Sequence, residues 1–287
     1  MSNYVLKNPN RKPRWHKVSF FGYLMLALIT FVSIFPFYWM FIVASNGTDE
    51  ISKIPPTLLP GPRFFTVVSH VYEALPAFNQ ALLNSFYVGT LVAVAQVFFS
   101  ALAGFAFAKL NFPGQRYLVL FVVFTMMLPS QLGIIALFKE ISMMNLIDTL
   151  GALIVPALVT AFGVFWMRQV IDAQVPNELL EAASIDGAGV FRVYWSLVLP
   201  IIAQSSFVLG LFSFLASWND FLWPLLVLNT PENFTAQVAV NQLKSSYAID
   251  YALNMGGALL STLPLLILFI FVGRRLVRGV MDGAVKG

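Results

Sequence analysis

The sequence predicts an all-α, polytopic membrane protein with six transmembrane helices and one long cytoplasmic helical loop between spans four and five. Three observations carry that prediction. Hydrophobic residues make up 59% of the 287 residues and charged residues only 10%, against about 25% charged in an ordinary soluble domain. Mean hydropathy is +0.79, and Phe alone contributes 28 residues. The charges stand in short islands between apolar stretches, so lipid rather than a closed core receives most of the apolar surface.

The apolar stretches run over 18–48, 74–108, 117–138, 149–167, 193–219 and 251–273. About 20 helical residues cross ~30 Å of hydrocarbon, and a helix satisfies its own backbone groups where no water can. The chain therefore reads as a single membrane unit: a tail (1–17), a first span (18–43), an external loop (44–80) and a five-span core (81–287). Within that core lies the loop 172–200.

The first stretch follows a basic segment, as a signal peptide would, but signal h-regions run only about 7–15 residues. This one is longer and holds Phe35-Pro36-Phe37-Tyr38-Trp39, an aromatic cluster suited to a membrane interface. It reads as a retained anchor. Pro55-Pro56 and Pro60-Gly61-Pro62 make the next segment a polar loop, either a passive connector or a contact for something extracytoplasmic. Pro36, Pro129, Pro156 and Pro264 predict kinks in spans one, three, four and six, and Pro200 marks the entry to the fifth.

An even number of spans places both termini on one side. Lys7, Arg11, Lys12, Arg14 and Lys17 precede the first span, and Arg274, Arg275, Arg278 and Lys286 follow the last. With Lys109, Arg116, Arg168 and Arg192 in the inner loops, thirteen of the 17 basic residues fall on one side, which is then cytoplasmic. The net charge of +4 is thus explained by membrane orientation, and no basic domain outside the spans offers a nucleic-acid surface. Cysteine is absent, which excludes disulfides and thiolate metal sites.

The loop between spans four and five is long, mixed in charge and patterned for helix. Pro176-Asn177 opens a helix with Asn177 as N-cap, and Glu178 and Glu181 place negative charge where the helix dipole favours it. Gly187 and Gly189 end it, and Val190, Phe191, Val193, Tyr194, Leu197 and Val198 form a second apolar pattern before Leu199-Pro200. Such a helix-turn-helix suits a lever pressed into a groove on a soluble partner, although an ordinary amphipathic hairpin carries the same pattern.

Glu181-Ala182-Ala183, three residues, Gly187, nine residues, Leu197, one residue and Leu199-Pro200 together resemble the EAA loop of binding-protein-dependent ABC transporter permeases. Leu197 departs from the usual Ile. Ile185-Asp186-Gly187-Ala188, Asn84-Ser85, Met127-Leu128-Pro129, the run Trp218-Asn219-Asp220-Phe221-Leu222-Trp223-Pro224 and the terminal Gly283-Ala284-Val285-Lys286-Gly287 resemble the carbohydrate-importing, maltose-permease MalG-like branch. The likeness covers essentially the whole chain. It implies an importer for a sugar or oligosaccharide in the cytoplasmic membrane. Its other parts would be a second homologous permease, two ATP-binding cassette subunits that bind ATP and Mg, and an extracytoplasmic sugar-binding protein. On the same resemblance, Glu181, Ala182, Ala183, Asp186, Gly187, Leu199 and Pro200 form the loop that couples to the ATPase.

The residues agree that energy enters from outside the chain, since no G-x-x-x-x-G-K-[ST] phosphate loop is present. Gly187-Ala188-Gly189 is no dinucleotide fingerprint, because Arg192 stands at the third glycine position. Asn84, Gln96, Gln131, Asn219 and Asp220 are candidates for polar contact with a solute in the pathway. Helix–helix contact would explain the amides equally well. Asp220 also fits a wet position at the external interface, with Trp218 and Trp223 in an aromatic belt. A membrane enzyme would need a cluster of acid, base, nucleophile or metal ligands; His16 and His70 stand apart and no such cluster is legible. A non-sugar solute such as a glycerol phosphate, or an ATP-independent transporter or channel, remains an alternative; the last leaves the composite loop unexplained.

Overall fold

The computed structural model of the chain describes residues 19–47, 53–244 and 250–284. The basic tail 1–17, Thr48 and Val285-Lys286-Gly287 lie outside the described residues, as do the side chains of Arg274, Arg275 and Arg278. Every regular element among the described residues is helical.

Helix α1 spans Phe20–Ser45 and runs through Pro36 unbroken. It is buried only at its far end, over Ile42 to Ser45, where the loop folds back on it. There Arg63 N donates to Ser45 O at 3.1 Å, and Asn46 Nδ2 to Leu59 O at 3.0 Å. The expected loop 44–80 contains a further helix, α2, at Phe64–Ala74. Its apolar stripe, with Val67 and Val71 buried, lies on the last helix at Gly256, where a Cβ would come within 2.7 Å of Val67 Cγ1.

Helix α3 (Phe78–Lys109) is 32 residues and so about 48 Å long, more than the hydrocarbon requires. It is the central post of the bundle. Gln96, Ser100 and Gly104 recur every fourth residue and so share one face. The third span is broken: α4 (Gln115–Met126) and α5 (Ile134–Met143) meet at 90° across Pro129 and a 3-10 turn at Ser130–Gly133. The fourth is broken more gently, α6 (Gly151–Ile154) passing through a 3-10 turn at Val155–Ala157 into α7 (Ala161–Gln174) with a bend of 43°. Pro129 and Pro156 therefore interrupt their helices rather than merely kinking them. Among the described residues, four continuous helices are long and apolar enough to cross a membrane, and counting each bent pair as one span brings the number to six.

The hairpin follows as α8 (Asn177–Ile185) and α9 (Val190–Val193), then a π turn at Tyr194–Val198, then α10 (Leu199–Asn219). Pro200 has no N–H for the carbonyl of Ser196 and its ring crowds that turn, so the helix widens there and Leu199 N bonds Tyr194 O. The second arm of the hairpin and the fifth span are thus one helical rod, Val190–Asn219. Short helices α11 (Leu222–Val227) and α12 (Ala236–Asn241) follow, and α13 (Tyr251–Ala284) runs through Pro264 unbroken.

Two devices bind the core. Gln96 Oε1 accepts from Ser213 Oγ at 2.7 Å and from Thr160 Oγ1 at 3.4 Å, linking α3, α10 and the start of α7 through one buried amide. In a medium without water such a group needs internal partners, and here it has them. Glycine provides the second device. A Cβ on Gly104 would lie 2.8 Å from the backbone of Met167 and Arg168, and Gly163 in turn faces Ser100 Oγ, so α3 and α7 touch backbone to backbone. Small residues four apart permit this close approach between membrane helices.

Candidate functional site

Helix α8 ends in a Schellman motif built on Gly187. Its φ of +74° is left-handed, Gly187 N donates to Ser184 O at 3.0 Å, and Ala188 N donates to Ala183 O at 2.9 Å. Ala183 is buried with Val175, Val193 and Tyr194 in the core that also holds Phe105 and Met167. Glu181, Ala182, Asp186 and Gly187 are exposed. The Glu-Ala-Ala triplet thus has one residue turned to the membrane core and two turned outward. Leu199 and Pro200 lie at the junction with the fifth span rather than on the exposed face of the hairpin.

Two expectations about this loop change. The helix α7 continues to Gln174, so Arg168 and Asp172 belong to the fourth span and the connection is shorter than expected. Asn177 is the first helical residue rather than the cap, because Pro176, with ψ 143°, occupies the cap position and brings no side-chain bond. The Asn177 side chain serves another purpose: its Oδ1 accepts from Lys109 Nζ at 2.9 Å. Lys109 Nζ also lies 3.9 Å from Asp172 Oδ1, and the lysine side chain is only 4% exposed. The foot of the hairpin is therefore tied to the ends of α3 and α7 together. No local pattern revealed Lys109, which is 68 positions from Asn177.

The tip of the hairpin carries exposed apolar side chains, Ile185 at 87%, Phe191 at 77% and Val190 at 51% exposure. Of the second apolar pattern, Val193, Tyr194 and Val198 are buried, while Val190 and Phe191 face outward. A pair of large apolar groups beside a charged face matches the anchor-and-rim composition of a protein interface.

At the opposite end of the bundle, residues 220–244 fold back over the spans. Asn84 Nδ2 donates to Glu232 O at 2.8 Å and Phe234 O at 3.0 Å, Asn84 Oδ1 accepts from Gln80 Nε2, and Ser85 Oγ accepts from Ala236 N at 2.8 Å. In the turn between spans three and four, Asp148 has φ +61°. Its Oδ1 accepts from Asn229 N at 2.8 Å and Thr230 N at 3.0 Å, and Oδ2 from Thr230 Oγ1 at 3.0 Å. Its own N–H donates to Val227 O, and Asn233 Nδ2 donates to its carbonyl. Trp223 Nε1 donates to Ala152 O at 2.9 Å. Asp148 was no candidate from sequence, since an aspartate in a turn is ordinary.

The five pathway candidates are dispersed. Asn84 and Gln96 are buried in the bonds just described. Backbone hydrogen bonds from Trp223, Phe221 and Leu222 reach the Asp220 carboxylate, where the chain enters α11. Asn219 is exposed and donates from Nδ2 to Leu215 O, and Gln131 is exposed on the 3-10 turn of the broken third span. Trp218 is buried and stacks on Phe214 at 5.7 Å, and Trp223 is half-buried, so neither sits in an open aromatic belt. An apolar cavity of about 490 Å³ between α3, α10 and α13 is lined by Val97, Phe98, Phe207, Phe214 and Leu268, with Ser206 adding a hydroxyl.

The backbone N–H groups of Asn229 and then Thr230 hold the Asp148 carboxyl below its ordinary range. A depressed folded-state value means the stabilisation is complete above about pH 3.9, the unfolded value, and is lost as pH falls through the lower folded value. The Asn229 and Thr230 amides should accordingly keep their protection from hydrogen exchange between pH 7 and about pH 4. Progressive loss of that protection between pH 7 and pH 5 would contradict the assignment.

The family model described as "Binding-protein-dependent transport system inner membrane component" matches residues 96–281, which include the hairpin and its supporting spans. The chain belongs to this family. Among curated relatives it is 30% identical over 267 residues to the arabinooligosaccharides transport system permease protein AraQ of Halalkalibacterium halodurans, covering 91% of this chain and 94% of that protein. It is 30% identical over 269 residues to the sn-glycerol-3-phosphate transport system permease protein UgpE of Yersinia pestis, covering 91% and 95%. The lactose transport system permease protein LacG of Rhizobium radiobacter is also 30% identical, covering 92% and 95%. A bacterial ABC transporter involved in import of the acidic polysaccharide alginate shares the fold, with TM-score 0.76 at 17% identity over 88% of this chain and 94% of that one.

The protein is thus a multi-pass permease subunit of the inner membrane, from a family of transport components rather than of enzymes. Among the described residues no group of three or more His, Asp or Glu side chains is arranged to hold a metal ion.

Proposed function

We propose that this permease is one of two homologous membrane subunits of an ATP-driven importer for a sugar or oligosaccharide. Its hairpin receives the movement of an ATP-binding cassette subunit. The observation that carries this reading is the hairpin itself, with exposed apolar groups at its tip and its foot tied to two spans. Two ATPase subunits bind ATP and Mg, and their closure rocks the spans between inward-facing and outward-facing arrangements. An extracytoplasmic binding protein delivers the solute to the other side. Both termini and the hairpin are cytoplasmic in this scheme, in keeping with the basic-residue asymmetry.

The names of the AraQ and LacG relatives support a carbohydrate cargo. Equal identity to UgpE supports a phosphorylated cargo as the second reading. The four continuous spans carry no Lys or Arg away from their ends, while Lys139 and Arg168 stand within the broken third and fourth spans, so charge along the spans favours neither cargo. Gln131 and Asn219, both exposed, are the residues of this chain best placed to meet a polar solute, while Asn84, Gln96 and Asp220 hold the framework.

Gly187→Pro and Glu181→Lys test the reading. Proline cannot adopt φ +74° and removes the N–H that closes the Schellman turn, and Glu181→Lys reverses charge on the exposed face. Each should lower solute uptake in reconstituted vesicles at least tenfold while the permease stays in the membrane. Unchanged uptake and ATPase association would end the coupling assignment. Competition of labelled uptake by arabino-oligosaccharide, lactose or glycerol phosphate decides the cargo class.

A further inference from the structure

The covalent route from the hairpin to the external segment is broken once. Going outward from α9, the chain runs through the helical rod Val190–Asn219 and then meets the helix break at Asp220–Phe221. A second route avoids that break. Lys109 and Asp172 hold the hairpin foot to the inner ends of α3 and α7. The Gly104 and Gly163 contacts lock those two helices together in mid-bundle. At their far ends, Asn84 and Ser85 hold residues 232–236 to α3, and Asp148 and Ala152 hold residues 223–233 to the start of the fourth span.

Resting on the importer reading, we propose that Asp148 is a positioning residue that clasps the external segment 220–244 to the start of span four, beside the attachment that Asn84 and Ser85 make to span two. Displacement of the hairpin then reaches the external mouth through those spans. Asp148 suits this work for two reasons. Aspartate tolerates the left-handed backbone better than most residues, and its carboxylate takes two N–H groups and a hydroxyl from one short stretch of chain. The segment 229–233 has no regular ladder of its own beyond a single 3-10 turn, so the clasp sets its position. Val71 of α2 and Leu253 and Leu260 of α13 pack on Ala239 and Leu243 of the segment, whereas α1 stands outside this unit.

Asp148→Gly keeps the backbone conformation available and removes only the carboxylate, whereas Asp148→Asn keeps one acceptor and the same tolerance of positive φ. In the assembled importer, Asp148→Gly should raise amide exchange over residues 227–236 at least tenfold and cut solute uptake at least tenfold. ATPase subunits should still co-purify at wild-type levels, because the hairpin is untouched. Asp148→Asn should recover most of both losses, because its Oδ1 still accepts from the Asn229 and Thr230 N–H groups. Wild-type exchange in Asp148→Gly, or faster exchange with uptake intact, would overturn the proposal. The exchange measurement requires only the permease in membranes and so remains decisive if the variant fails to assemble. Failure of the unaltered chain to bind ATPase subunits would instead remove the importer reading.

Discussion

Gly104→Leu should yield a permease that reaches the membrane but does not fold into a stable assembly. The contact that forbids a side chain is with backbone atoms, the Met167 carbonyl carbon and the Arg168 nitrogen, each 2.8 Å from the Cβ position. No rotamer change can relieve it, so the helices must part. Overpacking a filled contact costs about 1–3 kcal/mol even where side chains can yield. Gly104→Ala should fall within that range and Gly104→Leu beyond it, with the Gln96 clamp and the Lys109 anchor lost in the same separation. Gly133→Ala, at a site with open space around it, is the matched control. Detergent thermal-shift and gel-filtration profiles check the ordering, and a Gly104→Leu protein as stable as the control would refute the packing.

Phe191→Asp combined with Ile185→Asp should leave the permease folded and strip it of its ATPase partner. Both side chains are largely exposed, so removing them takes little from the fold. Anchors at the centre of a protein interface each contribute about 2 kcal/mol or more, which is ~30-fold in dissociation constant. The single variants should therefore weaken co-purification of the ATPase subunit by that order, and the pair should abolish it. Full association in the double variant would place the docking surface elsewhere.

The helical class, the six apolar stretches and the hairpin were legible because each is written in local sequence. Membrane helices need continuous apolar runs, and the hairpin announces its turn through Gly187 and its start through Pro176. The depth of the interruptions at Pro129 and Pro156 was not legible, since proline marks a break without setting its angle. Asn177 was misread for a related reason: capping chemistry is local, whereas the partner that claimed its side chain, Lys109, comes from another helix. Asn84 and Gln96 stood out as polar groups in apolar surroundings, but only the neighbouring helices decide whether such an amide faces a solute or a clamp.

The hairpin shows where the division lies. By itself the sequence determined that an amphipathic helix-turn-helix follows the fourth span, because periodicity and a glycine at the turn are properties of adjacent residues. Tertiary structure alone decided that Ala183 faces the core, that Ile185 and Phe191 face outward, and that Lys109 fixes the foot. It likewise brought the Asn229 and Thr230 N–H groups onto the Asp148 carboxylate. Each of those outcomes depends on contacts between residues tens of positions apart, which the order of residues constrains only through the packed fold.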